Sequence, residues 1–297
     1  MAKARLSALL SEYPGTRALR RGEIDSATVT FDFAAPKVLY EEFRPLIRGE
    51  RYDVAELPVV TYLQAHQYQK DLTLLPFVMN ARFQHDCLVY NASRPAPDLH
   101  RLRGKRIGVR SYTQTTVAWI RAILRQDFGL DPHDVEWITT HGPHLDEFDD
   151  PPVCRRAEAG KTVAQLLLEG DVDIAVLAPG LYSDPLIKPV FSDGLTVALD
   201  WHRRTGVRPI NHMAVVTGAL ARERPGIAAE ILRMLTESRK LGPLPGHGVD
   251  LTEPGIEPLR PTLEAIIAES HLSGVIDRPF TVDEIFAPWR EAIARLG

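Results

Sequence analysis

Residues Leu102–Leu124, LRGKRIGVRSYTQTTVAWIRAIL, decide the fold class. The opening Leu-Arg-Gly-Lys-Arg leads into a short apolar strand, Ile107-Gly108-Val109, and then a polar turn, Arg110-Ser111-Tyr112-Thr113-Gln114-Thr115. Val117, Ile120, Ala122, Ile123 and Leu124 follow near helical spacing, which predicts an amphipathic helix with Thr115 or Thr116 as its N-cap. A strand that ends in hydroxyls and feeds a helix makes an anion site, because the first helical amides lack partners and the helix dipole favours negative charge. Arg110 and Arg121 add fixed positive charge, and a guanidinium can grip a carboxylate with two parallel bonds. The segment therefore predicts a protein that holds a small acid, with Arg110, Tyr112, Thr115, Thr116 and Arg121 as substrate-binding candidates.

Outward from this segment, short apolar runs alternate with helical patterns, which is the signature of an α/β chain. Leu6–Leu10, Ala27–Phe33, Asp53–Glu56, Thr73–Phe77, Asp86–Tyr90, Val135–Ile138, Ile174–Leu177, Thr196–Leu199 and Met213–Val216 read as further strands. Helices are expected at Thr16–Arg21, Pro36–Arg48, Val59–Gln69, Val163–Glu169, Ala219–Leu241, Leu259–Ser270 and Val282–Leu296. Ser93-Arg94-Pro95-Ala96-Pro97-Asp98 reads as an extended linker, and a return crossing is expected near Asp200–Pro209. The division expected is one lobe from 1–97 and 205–297 and a second, inserted lobe from 98–204.

The stretch Gly108-Val109-Arg110-x-Tyr112-x-x-Thr115-x-x-x-Trp119-x-Arg121-x-Ile123-Leu124 resembles the 4,5-dihydroxyphthalate decarboxylase family, within the type II periplasmic-binding-protein-like fold. Tyr13-Pro14-Gly15-Thr16-Arg17-Ala18-Leu19, Tyr52–Leu57, Arg82-Phe83-Gln84-His85 and Gly206–His212 fit the same family in the same order, over roughly residues 5–295. Gly15 departs from the pattern, which has a larger polar or imidazole side chain before Thr16-Arg17. The resemblance implies two α/β lobes with a ligand cleft between them, and a carboxy-lyase that removes CO₂ from a hydroxylated aromatic acid such as a phthalate.

Composition is consistent with this class. At 297 residues, with 44% apolar and 25% charged residues, the chain can bury a substantial core. A net charge of −4 and the lack of a long basic run argue against a nucleic-acid partner. No stretch approaches the ~20 apolar residues of a membrane span. The apolar run before Glu12 and Pro14 is shorter than the ~7–15 residues of an export signal's core, so a cytoplasmic protein is expected. A homo-oligomer is compatible with all of these features. Cys87 and Cys154 are far apart and lack metal-type spacing; Cys87 reads as a buried thiol and Cys154 as a loop residue, with no disulfide. The His141–Asp150 loop holds two histidines and four carboxylates, but their spacing matches no metal site and it reads as a solvated loop. No dinucleotide fingerprint, phosphate loop or nucleophile elbow is present.

Loss of CO₂ from an arene carboxylate leaves a very unstable aryl carbanion unless the ring carbon is protonated first. Such a site needs an acid near that carbon, a base for a ring hydroxyl, and cations for the acid groups. His212, which follows Asn211 and opens a strand, and His85 are the candidate acids; Glu56, at a strand end before Pro58, is the candidate base. Each also has a bland reading, as a structural histidine or a carboxylate at a helix start. Arg82, Phe83 and His85 form a cluster suited to an aromatic acid, and Arg82, Arg110 and Arg121 can hold carboxylates. Thr16 and Arg17 open the first helix, and Asn211 can orient His212 or bond the substrate. No cofactor is required by this scheme, and a divalent metal polarising the hydroxyl stays open. The rival is a non-catalytic solute-binding protein of the same fold for a small organic anion; a chorismate-dehydratase-like enzyme is a third reading.

Overall fold

The computed structural model describes residues 3–243 and 246–296. In chain order the first part runs β1 Ala4–Leu9, α1 Arg17–Arg20, β2 Val29–Phe33, α2 Phe43–Ile47, β3 Val54–Pro58, α3 Val59–Gln67 and β4 Leu72–Ala81. The middle follows with β5 Leu88–Asn91, β6 Arg106–Val109, α4 Thr115–Phe128, β7 Glu136–Thr139, β8 Cys154–Arg156, α5 Val163–Glu169, β9 Ile174–Val176, β10 Ile187–Pro189 and α6 Gly194–Thr205. The last part is β11 Ile210–Thr217, α7 Gly218–Glu223, α8 Pro225–Lys240, α9 Ile256–Leu272 and α10 Val282–Ala294.

The chain divides into two compact units. Unit 1 comprises Met1–Arg82, Ile210–Glu264 and Phe280–Gly297; unit 2 comprises Phe83–Pro209 and Ala265–Pro279. The first boundary thus falls at Arg82/Phe83 and not at 97/98. The reason is β5: it pairs antiparallel with β10 and β9, which ties the chain to the second sheet before the Pro-rich stretch begins. The return falls at Pro209/Ile210, where β11 begins, a few residues after the expected 204/205.

Unit 1 carries a five-stranded sheet of order β2-β1-β3-β11-β4. β1, β2 and β3 run parallel, and β11 runs antiparallel to both β3 and β4. All five residues of β3 are buried, as are Leu72–Met79 of β4, which is the pattern of strands covered on both faces. Unit 2 carries a six-stranded sheet of order β10-β5-β9-β6-β7-β8, with β6 parallel to β7 and β9. A side chain at Gly108 in β6 would place its Cβ 3.0 Å from Val172 Cγ2, so this position keeps the strand close to its neighbour.

The segment 102–124 forms the expected strand, turn and helix. The N-cap of α4 is Gln114, one residue before the expected threonines, and Gly129 closes the helix with φ 65°, in the left-handed region that favours glycine. The first ten residues of α4, Thr115–Leu124, are buried on all sides, where spacing alone implied a solvated face. Thr196–Leu199 lies inside α6: Asp193 caps that helix by accepting from the Thr196 amide at 3.1 Å, and the helical period prevails over the β-branched run. The single helix expected over Ala219–Leu241 is two, because Pro225 lacks an amide proton and starts α8 at its first position. Pro36–Arg48 holds a 3₁₀ turn, Leu39–Glu42, before the short α2. Cys154 begins the edge strand β8 instead of lying in a loop, and burial with the nearby Asp150 pushes its thiol up to about 12, so it is not a poised nucleophile. No helix among the described residues is long and apolar enough to cross a membrane.

Candidate active site

The best-formed polar cluster lies in unit 1 and is centred on Glu56. The antiparallel register of β11 and β3 sets His212 opposite Pro58 and Ala214 opposite Glu56, so His212 and Glu56 share a face as diagonal neighbours. Their side chains meet directly, with His212 Nδ1 2.6 Å from Glu56 Oε2. The pair is thus in direct contact across two neighbouring strands. Glu56 is fully buried, while the His212 side chain keeps 18% of its surface exposed.

The loop after β1 completes the cluster. The Ser11 amide donates to Glu56 Oε1 at 2.7 Å, and the Tyr13 hydroxyl donates to Oε2 at 2.8 Å. Burial by itself would raise the Glu56 carboxyl, but the hydrogen bond and charge of His212, with the donors Ser11 and Tyr13, outweigh it and hold the group below its ordinary value. Glu56 is therefore an ionised acceptor. A carboxylate oxygen only accepts, so the shared proton sits on Nδ1 of His212, and Nε2 makes no hydrogen bond to the described residues. The Phe43 ring meets the imidazole edge-on at 5.6 Å between centroids, which restrains its plane.

The remaining unit 1 candidates divide around this cluster. Thr16 is buried at the N-cap position of α1 but makes no side-chain capping bond; its Oγ1 accepts from the Tyr13 amide at 2.8 Å and donates to the Ser11 carbonyl at 2.7 Å, clasping the loop that serves Glu56. Arg17 is exposed and paired with Glu12 at 3.1 Å. Asn211 is buried on β11 beside His212, and Arg82 is half-buried directly after β4.

Unit 2 holds the other candidates, and it separates them. Arg110 lines a pocket with Gln114, Thr140, His141, Lys161 and Thr162, at the carboxyl ends of β6 and β7 and the first turns of α4 and α5. Thr115 and Thr116 are buried in the first turn of α4. Arg121 does not belong to this pocket. Its side chain is fully buried: Nη1 donates to the Tyr112 carbonyl at 2.8 Å, the guanidinium lies 4.2 Å from the Tyr112 ring centroid, and Nε is 3.5 Å from Glu269 Oε1. Tyr112 is equally buried and donates its hydroxyl to the Ser273 carbonyl at 3.0 Å. Both are core residues of unit 2, because α4 is enclosed on all sides. Phe83 is half-buried, with its ring 6.1 Å from that of His202.

His85 is also removed from the acid role. It is fully buried between Phe191 and Trp201, neither ring nitrogen has a hydrogen bond, and burial pushes its pKa down to about 4. The folded protein therefore carries this imidazole neutral where the unfolded chain would protonate it. Between pH 6.5 and 4 the unfolded state binds more protons, so stability falls as the pH drops through that window. Wild type is expected to lose ~2 kcal/mol more than a His85→Phe variant between pH 7 and pH 5, measured by urea unfolding. Equal losses in the two proteins would mean that His85 is solvated and able to titrate.

Tyr13 and Ser11 were not identifiable as site residues from spacing. Tyr13 lies in a family-like stretch, but nothing local links positions 13, 56 and 212. Among the described residues, no group of three or more His, Cys, Asp or Glu side chains is placed to hold a metal ion, the His141–Asp150 loop included.

No family model matches the sequence. It is similar to 4,5-dihydroxyphthalate decarboxylase of Comamonas testosteroni, 26% identical over 259 residues that cover 80% of this chain and 76% of that protein. A protein of the same name from Pseudomonas putida is 26% identical over 217 residues, 68% of this chain and 83% of its own length. Among solved structures, the periplasmic sulfonate-binding protein SsuA of Methylobacillus flagellatus aligns with a TM-score of 0.60 at 14% identity, covering 100% of this chain and 95% of that one. The desulfurization enzyme DSZB aligns with a TM-score of 0.54 at 16% identity, covering 99% and 100%. The chain has the type II periplasmic-binding-protein-like fold, as its sequence resemblance implied. That fold is shared by binding proteins and by an enzyme, so the fold alone does not assign a function.

Proposed function

We propose that this protein is a non-oxidative decarboxylase of a hydroxylated, phthalate-like aromatic acid. The observation that carries the reading is the buried Glu56–His212 pair, with Nδ1 of His212 bound at 2.6 Å and Nε2 left for a substrate. A solute-binding protein needs donors for its anion; it has no need of a buried carboxylate that fixes one imidazole tautomer and stabilises the imidazolium. The names of the two curated relatives point the same way.

In this scheme the imidazolium of His212 gives its Nε2 proton to the ring carbon that bears the carboxylate. A hydroxyl para to that carbon pushes electron density towards it and stabilises the protonated ring. The carbon–carboxylate bond then breaks, its electron pair restores the aromatic ring, and CO₂ leaves. The balance is one arene carboxylate and one proton giving one arene and one CO₂, with His212 reprotonated from water. Glu56 acts through His212, orienting it and stabilising its charge, because it is fully buried and held by three protein donors. The base for the ring hydroxyl is a different group from Glu56.

In unit 2, Arg110 is the guanidinium suited to hold a carboxylate, in the pocket it lines with Lys161 and Thr162. Arg110→Ala is expected to weaken binding of a confirmed aromatic acid by ~1.5–3 kcal/mol, the usual worth of a charge-assisted bond, and Arg110→Lys to restore only part of it. Isothermal calorimetry that finds unchanged affinity in Arg110→Ala would remove Arg110 from the site. The function itself is tested by incubating the purified protein with a panel of hydroxylated benzoates and phthalates and following CO₂. Binding of these acids with no CO₂ from any of them would favour the solute-binding reading.

A further inference from the structure

We propose that Tyr13 is a positioning residue for the acid–base pair: its hydroxyl and the Ser11 amide, presented by one clasped loop, hold the Glu56 carboxylate in the orientation that receives His212 Nδ1–H.

The geometry over-determines that carboxylate. Oε1 takes the Ser11 amide at 2.7 Å, and Oε2 takes both the Tyr13 hydroxyl at 2.8 Å and His212 Nδ1 at 2.6 Å. Rotating the carboxylate about its last bond breaks at least one of these contacts, so the acceptor offered to His212 cannot turn away without cost. The two loop donors are themselves fixed relative to each other. The Thr16 hydroxyl accepts from the Tyr13 amide and donates to the Ser11 carbonyl, and the Thr16 amide donates to the Tyr13 carbonyl at 3.0 Å. Residues 11–16 therefore form a closed clasp that delivers two donors to one buried oxygen pair. The Tyr13 ring is seated separately, as a wall of an apolar cavity with Phe77, Met79 and Arg239.

The choice of a phenol is physically apt. Burial first, then the negative Glu56 beside it, raise the Tyr13 hydroxyl well above the ordinary tyrosine range. It therefore stays a donor through the neutral range and does not compete with His212 for the charge. The titratable groups that contact Glu56 are Tyr13, from the loop after β1, and His212, from β11; the Phe43 ring packs at right angles to that of His212.

Tyr13→Phe tests this, because it keeps the aromatic ring and removes the hydroxyl, which gives up the donor to Glu56 together with the contacts to the Ser11 and Asn80 side chains. Two readouts are needed. In the ligand-free protein, the ring ¹⁵N signals of His212, assigned by comparison with His212→Gln, report the Glu56 titration. Without the Tyr13 hydroxyl the carboxylate is less stabilised, and that titration is expected to move up by ~0.5–1 pH unit. On an established substrate, the low-pH limb of kcat is expected to move the same way, with kcat lower by ~3–10-fold and KM within about twofold. Should Tyr13→Phe fail to fold, Thr16→Val opens the clasp and carries the same readouts, with a smaller shift. An unchanged Glu56 titration in a folded Tyr13→Phe overturns the proposal. The kinetic arm rests on the decarboxylase reading and the ligand-free arm does not. A shift without any turnover therefore sinks the function and leaves Tyr13 in place, whereas turnover with no shift does the reverse.

Discussion

A His212→Gln variant is expected to bind an aromatic acid substrate with near wild-type Kd and to turn it over ~10²–10⁴-fold more slowly, the usual contribution of a positioned acid. Glutamine keeps a polar side chain opposite Glu56 but cannot deliver a proton to carbon. Glu56→Gln is expected to produce a loss of the same order by another route. Its amide nitrogen would meet the Ser11 N–H while its oxygen still accepted from Tyr13 and His212, and the neutral group would no longer stabilise the imidazolium. Combining the two changes should cost little more than either alone, because the residues act as one unit. The measurements are kcat and substrate Kd for the three variants. Wild-type turnover in His212→Gln would take the acid role away from this pair, and additive losses in the double variant would mean that the residues act independently.

The second large effect lies in unit 2 and concerns stability. Glu269→Ala is expected to lower the free energy of unfolding by ~3–5 kcal/mol, because it leaves the fully buried Arg121 guanidinium without a counter-charge. Arg125, the other partner of Glu269 at 3.1 Å, has 25% of its side chain exposed and can turn to water. Replacing both Arg121 and Glu269 by leucine should recover much of the loss, since the penalty comes from an uncompensated charge and not from the missing pair. Urea unfolding of the single and double variants makes the comparison. A cost below ~1 kcal/mol for Glu269→Ala would mean that the guanidinium is solvated, and would reopen Arg121 as a ligand for the substrate.

The contrast between these two sites shows what the sequence could reveal. Ile107-Gly108-Val109 and the helix after it were legible, because a strand end and a helical apolar period are local signals. The exposure of Arg121 was not. Whether the polar side of α4 meets water depends on what packs over it, and here Glu269 and Tyr112 come from distant and neighbouring chain respectively. Glu56 and His212 could each be singled out from chain position and chemistry. Their contact is a matter of β11–β3 register across more than 150 residues, which no spacing rule encodes. Tyr13 escaped for the same reason. The misreading of Thr196–Leu199 was a local contest, in which a β-branched run lost to the Asp193 cap.

The proposed reaction stands on proton delivery from His212 to a ring carbon with loss of CO₂. The most direct test is to incubate the protein with carboxyl-¹³C-labelled 4,5-dihydroxyphthalate in D₂O and follow both products by NMR and mass spectrometry. Labelled CO₂ and a dihydroxybenzoate are expected in equal amounts, with one deuterium at the carbon that lost its carboxylate, and both products nearly absent with His212→Gln. Binding of the labelled acid without any labelled CO₂, or its release at an undiminished rate from His212→Gln, would contradict it.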